Sequence, residues 1–247
     1  KGPCKVAISY DSRLFSKEFA HAAAEVYAEL GIHVYITEEL RPVPMLSYMV
    51  RKYGCQAGVC ITASHNPPQY NGYKVYWSTG SQLIPPHDKN IIQMYLNIKS
   101  YGELKSKPFE QAKKEALITE VGEDLDLDYF SKVENLALNK GDVANIRIAY
   151  SPLHGTGFYP VSECLKRFGF TDMSVVEEQK KPDGNFPTVK FPNPEDPEAL
   201  AMAIALGKKI NADIVLATDP DTDRIGIVIN HKGQFIFLNG NQIICLM

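Results

Sequence analysis

The sequence predicts an α/β protein built as two consecutive three-layer α/β domains with mixed, mostly parallel sheets. Short apolar runs of strand length alternate with helix-length amphipathic stretches, the signature of parallel strands joined by helices. Glycines stand where the helices should stop, at Gly31, Gly54 and Gly169. The rhythm breaks in the middle of the chain and starts again near residue 143. At 247 residues the chain has room for one large domain or two ordinary ones.

The elements follow in order. Val6–Ser9 reads as a buried strand, and the loop Tyr10-Asp11-Ser12-Arg13 leads to a helix from Ser16 to Leu30. Phe19, Ala23, Val26 and Leu30 recur there at three- and four-residue steps. His33–Ile36 is the second strand, Pro42-Val43-Pro44 opens a helix to Tyr53, and Ala57–Thr62 is the third strand. Tyr73–Trp77 alternates and is expected at one edge of the same sheet. Helices are expected near 87–99 and 126–138, with the acidic run Glu120–Asp128 as an exposed connection. In the second cycle Ile146–Tyr150 is a strand, 159–168 a helix and Ser174–Glu177 a strand. Lys180–Pro197 reads as a long proline-rich loop and Pro197–Ile210 as a helix. Ile214–Thr218 is a strand, and Ile225–Asn230 with Gln234–Leu238 form a hairpin. Domains are expected at 1–140 and 141–237, with 238–247 the start of a further element. Both edges of the chain look cut, which predicts a fragment of a longer protein.

Composition narrows the functions. Hydrophobic residues make up 45% and charged residues 22%, so neither a disordered nor a fibrous chain is expected. No apolar run reaches the roughly 20 residues that span a bilayer. The formal net charge of −3 lacks the basic surplus of a nucleic-acid binder, so partners are expected to be neither nucleic acid nor membrane. Five scattered cysteines, none in a Cys-x-x-Cys pair, predict free thiols in a reducing, cytoplasmic compartment. Oligomeric state is not legible.

Two constellations carry chemistry. Thr62-Ala63-Ser64-His65-Asn66-Pro67-Pro68 follows a strand, where ligands of parallel sheets gather, and Lys74 stands on the next strand. It lacks the Gly-x-Ser-x-Gly elbow of lipases, and a Ser-His-Asp triad has no local support. The bland alternative is a polar turn. Asp219-Pro220-Asp221-Thr222-Asp223-Arg224 also follows a strand. Three like charges at alternate positions repel, so the cluster calls for a cation, and an all-carboxylate set suits Mg²⁺, Mn²⁺ or Ca²⁺. An EF-hand would need Gly at loop position six and Glu at position twelve, where Arg224 and Asn230 stand. Gly155-Thr156-Gly157 lacks the third glycine of a dinucleotide fingerprint, with Pro160 at that position. It reads as a tight turn, with His154 a structural partner. Arg13, beyond a strand end, is placed either to meet a phosphate bidentately or to form a cap or salt bridge.

Through Thr62–Lys74 and Asp219–Arg224 together, the chain resembles the α-D-phosphohexomutase superfamily, which includes phosphoglucomutases, phosphomannomutases and phosphopentomutases. The resemblance implies that Ser64 carries a phosphoryl group and, with Asp219, Asp221 and Asp223, holds one Mg²⁺. It implies that Lys74 moves a proton or steadies charge, that His65 lines the reaction centre, and that Arg13, Asn66 and Arg224 face the substrate. Hexose phosphates would be the partners and glucose 1,6-bisphosphate the activator, phosphate moving between C1 and C6. The superfamily has four domains. This chain would hold most of the first, all of the second and a stub of the third, and alone is expected to be inactive. The rival readings are a phosphopentomutase, a Mg²⁺-dependent phosphatase and a non-catalytic phosphosugar scaffold.

Overall fold

The computed structural model describes residues 2–138 and 143–246. The expected break at 140/141 therefore lies outside the described residues. The chain divides into two compact units, each built on a five-stranded mixed sheet.

The first unit contains β1 (Lys5–Tyr10), α1 (Ser16–Glu29), β2 (His33–Thr37), α2 (Val43–Lys52), β3 (Ala57–Ile61) and β4 (Tyr73–Trp77). It continues through α3 (His87–Leu96), α4 (Phe109–Lys114) and β5 (Ile118–Val121). Its sheet order is β4-β3-β1-β2-β5, parallel except for β4 against β3. Alternate strand residues serve opposite faces. Val6, Ile8, Val34, Ile36, Val59 and Ile61 pack with Ala20, Ala24 and Ala28 of α1 and with Phe109 and Ala112 of α4. The opposite face takes α2, through buried Met45, Leu46, Met49 and Val50. Gly58 permits that approach, since a Cβ there would stand 2.5 Å from Val50 Cγ2. Pro44 suits the first turn of α2, and Gly54 follows its end at φ 62°.

The second unit contains α5 (Glu123–Glu134), β6 (Arg147–Ser151), α6 (Phe158–Arg167), β7 (Asp172–Val175) and α7 (Glu177–Lys180). Then come α8 (Ala201–Ile210), β8 (Ile214–Thr218), β9 (Ile225–His231), β10 (Gln234–Leu238) and α9 (Gly240–Leu246). Its order is β10-β9-β8-β6-β7, with β7, β6 and β8 parallel and the β9–β10 hairpin antiparallel. Ala149, Val215 and Ala217 pack under Leu200 and Ala203. A Cβ on Gly207 of α8 would lie 2.7 Å from Val215 Cγ2, so this helix too rides close on its sheet. On the other face α6 begins over Tyr150 and packs against α5, where Phe130 meets Tyr159 edge-on at 5.5 Å. The unit also takes in two loops that leave the ends of β1 and β3, Asp11–Leu14 and Ala63–Asn71.

Some expectations are corrected. The acidic run is not an exposed connection. Glu120 and Val121 end β5, while Glu123, Asp124 and Asp126 fill the first turn of α5, with Asp126 buried. Acids there complement the positive end of the helix dipole, and so mimic a loop composition. The seventh strand lies two residues earlier than expected and ends before the turn of helix at Glu177–Lys180. The short α4 and β5 escaped notice because neither is long enough to show a period. No helix among the described residues is long and apolar enough to cross a membrane.

Candidate active site

The site lies in the second unit, where four loops meet. The loop after β3 carries Ser64, whose backbone takes φ 55°, a left-handed conformation uncommon for a residue with a side chain. Its Oγ donates to Asp219 Oδ2 at 2.9 Å and lies 3.3 Å from His65 Nδ1. The serine expected to react thus touches the first carboxylate of a motif 155 residues away.

Arg13 fixes the shape of that loop from beneath. Nη1 donates to Pro67 O at 2.9 Å and Tyr70 O at 3.0 Å, and Nη2 to Ser64 O at 2.5 Å and Asn66 O at 2.6 Å. Nε faces Asp11 Oδ2 at 3.3 Å, both side chains being fully buried, and the guanidinium stacks on Phe186 at 5.1 Å. The four Nη hydrogens are all spent on carbonyls, and Nε meets Asp11 as an ion pair without a hydrogen bond. The expected phosphate contact therefore gives way to the salt-bridge alternative, extended to four carbonyls: Arg13 builds the serine loop. Gly184 presses on the same segment, where a Cβ would lie 2.5 Å from Leu14 N.

The acidic loop follows β8. Asp219 and Asp221 are buried and Asp223 is exposed, and one oxygen from each lies within 4.8 Å of the others. Asp219 Oδ1 accepts from the Asp223 and Arg224 backbone N–H groups at 3.2 and 3.1 Å, which curls the loop about it. Burial, then the charges of Asp221 and Asp223, push the Asp219 carboxyl well above the ordinary carboxylate range. Carboxylates so crowded favour a divalent cation, and the all-oxygen donor set fits Mg²⁺.

The remaining candidates are placed as follows. His65 is half-buried, and burial, then the Arg224 charge, lower its pKa, which favours a neutral imidazole beside Ser64. Asn66 is exposed, its carbonyl held by Arg13. Arg224 is half-buried and holds Asp219 through its backbone N–H. Lys74 belongs to the first unit, on β4 opposite Cys60 of β3. It borders an apolar hollow of about 710 Å³ between β4 and α3, with Tyr73, Ile91, Ile92 and Tyr95.

Sequence reading missed two participants. Asp11 is the buried counter-ion of Arg13, and its only signal was the Asp-x-Arg spacing after a strand. Thr156 bonds the acidic loop, and the signal lay in the paired glycines around it. His154 is structural as expected: it is buried and its Nε2 lies 2.8 Å from Thr188 Oγ1.

Comparison with known proteins converges on one family. Residues 1–102 match phosphoglucomutase/phosphomannomutase α/β/α domain I, and residues 127–233 match domain II of the same family. A phosphoglucomutase of Staphylococcus epidermidis is 37% identical over 98% of this chain and 44% of its own length. A human phosphopentomutase is 35% identical over 98% of this chain and 41% of its own. The crystal structure of a phosphomannomutase candidate from Thermus thermophilus superposes with a TM-score of 0.80 at 26% identity, over 98% of this chain and 51% of that one. The chain thus spans about half the length of the relatives it matches. The matched stretches contain both the serine loop and the acidic loop, and with the two five-stranded units that carry them they make this chain a member of the phosphoglucomutase/phosphomannomutase family, holding its α/β/α domains I and II.

Proposed function

We propose that the whole protein, of which this chain supplies domains I and II, is a phosphosugar mutase that moves phosphate between C1 and C6 of a hexose through phosphoserine 64 and a hexose 1,6-bisphosphate. The observation that carries this reading is the 2.9 Å bond from Ser64 Oγ to Asp219, which sets the serine against three clustered carboxylates. Glucose 1,6-bisphosphate primes the enzyme by passing one phosphoryl group to Ser64. In each turnover a sugar hydroxyl oxygen bonds the phosphorus as the Ser64 Oγ–P bond breaks. The proton of that hydroxyl is relayed to the departing Ser64 Oγ, which is left as a hydroxyl, while Lys74 assists the transfer or steadies charge on the reacting oxygen. The bisphosphate then turns over and returns its other phosphoryl group to Ser64 Oγ, and that oxygen of the sugar regains the proton. No water or oxidant is consumed, so the net change is an isomerisation.

The protein's own contribution is positioning and charge, which dominate phosphoryl transfer. Arg13 presents Ser64 on a rigid loop, neutral His65 borders the oxygen that gains and loses phosphate, and Arg224 and Asn66 face the sugar phosphate. Asp219, Asp221 and Asp223 would hold Mg²⁺, which would offset charge on the transferring phosphoryl oxygens. The phosphopentomutase names among the relatives favour one rival, a pentose phosphate as substrate.

Incubation with glucose 1,6-bisphosphate and Mg²⁺, followed by peptide mass spectrometry, tests the reading. Phosphate is expected on Ser64, and label elsewhere or none removes Ser64 from the mechanism. Comparing glucose 1-phosphate, mannose 1-phosphate and ribose 1-phosphate as substrates decides the sugar.

A further inference from the structure

The three acids of the metal loop alternate with two spacers, Pro220 and Thr222. Thr156, from the β6–α6 loop, engages both. Its backbone N–H donates to Pro220 O at 2.9 Å, and its hydroxyl donates to the same oxygen at 3.0 Å. Thr156 Oγ1 also lies 2.9 Å from Thr222 Oγ1. Either hydroxyl can donate in this second bond, since Thr156 also reaches Pro220 O and Thr222 also reaches Asp219 O at 3.4 Å. Thr222 needs the support: it sits at φ 57°, and a β-branched residue there is a genuine outlier.

Thr156 reaches this position because both neighbours lack a side chain. A Cβ on Gly155 would stand 2.4 Å from Pro220 Cα, a clash with backbone. A Cβ on Gly157 would stand 2.4 Å from Tyr150 Oη, 2.5 Å from Thr218 Oγ1 and 3.0 Å from Thr222 Oγ1. The glycine pair that resembles an anion-binding turn therefore serves close approach of two loops. Thr156 itself is buried.

We propose that Thr156 is a positioning residue for the acidic loop. By gripping both spacers it fixes the directions of Asp219, Asp221 and Asp223, and so the spacing they offer a divalent cation. The cation part rests on the mutase reading above, whereas the loop-shape part does not.

The test compares Thr156→Val, which loses the hydroxyl, with Thr156→Ser, which keeps it. Losing the two hydroxyl bonds should speed amide exchange at Thr222, Asp223 and Arg224 by about tenfold while β8 keeps wild-type protection. Mn²⁺ affinity, by titration calorimetry, should weaken by about tenfold in Thr156→Val, and Thr156→Ser should restore both readouts. Should Thr156→Val melt throughout, Thr156→Ala carries the same comparison. Wild-type exchange and affinity in the hydroxyl-less variant, or no rescue by serine, would overturn the proposal. Absence of Mn²⁺ binding in the wild type would overturn the metal site, and the exchange data would then decide the loop-shape part on their own.

Discussion

The connections β3–β4 and β8–β9 occupy the same place in their sheets. In the first unit the order β4-β3-β1-β2 sets an antiparallel strand beyond the third parallel one, and in the second the order β9-β8-β6-β7 repeats it. Each sheet therefore has one return beyond the carboxyl end of its third strand, residues 62–72 after β3 and 219–224 after β8, and each site motif sits on that return. The two loops are braced by opposite chemistry. The serine loop rests on a buried guanidinium that gathers four of its carbonyls. The acidic loop rests on neutral hydroxyls and backbone groups from Gly155–Gly157. A loop whose carbonyls turn to one side can be clamped by a cation, because each carbonyl oxygen has a lone pair to spare. A guanidinium bonded directly to the three aspartates would occupy the oxygens a metal needs, so that loop is shaped by groups without charge.

Four measurements would break or sharpen this comparison. In the whole protein, Ser64→Ala should lower mutase turnover by at least about 10³-fold, the scale of losing an attacking nucleophile, and leave thermal stability near wild type. Turnover within tenfold of wild type would leave the two loops with no division of labour. Arg13→Ala removes one partner of a fully buried pair and takes a donor from four carbonyls, so it should cost about 3–5 kcal/mol in urea unfolding. Arg13→Lys should recover part of that loss, since a point charge cannot serve the same fork. A cost below about 1 kcal/mol for Arg13→Ala, the range of exposed pairs, would show that the clamp is incidental.

Asp221→Asn keeps the shape of the acidic loop and removes one repelling charge. Metal affinity should drop about tenfold or more, while stability without metal should hold or rise. Equal Mg²⁺ affinity by calorimetry would place the metal elsewhere. The smallest effect is in pH. Burial lowers the pKa of His21 and His33 in the first unit and of His154 beside the acidic-loop brace. Folded pKa values below the unfolded value of about 6.5 mean that the unfolded chain binds more protons in between. Their contribution to stability is complete above about pH 6.5 and fades as pH falls, while the raised Asp219 carboxyl acts in the opposite sense, so the histidine part is read as the urea midpoint that the wild type loses relative to a histidine-less variant between pH 7 and pH 5.5. A midpoint that stays flat in His154→Gln but slopes in the wild type would assign the effect to the second unit.

The sequence alone determined what local chemistry controls. Alternating apolar runs and glycine stops laid out the two sheets, with β1, β3 and β8 found to within a residue or two. Three aspartates two residues apart announce a cation site in any fold, because their repulsion is local. Boundaries written in weaker signals were lost: β5 and α4 are four and six residues long, and the acids opening α5 look like a loop until the helix behind them is seen. Only the tertiary structure decided what lies across long separations. Arg13 and the serine loop are more than fifty residues apart, and Ser64 and Asp219 are 155 apart. Arg13 and Thr156 show the reason most clearly. A side chain's partners depend on which loops the fold brings together, so a guanidinium suited to a phosphate went to backbone carbonyls, and a glycine turn suited to an anion became the seat of another loop.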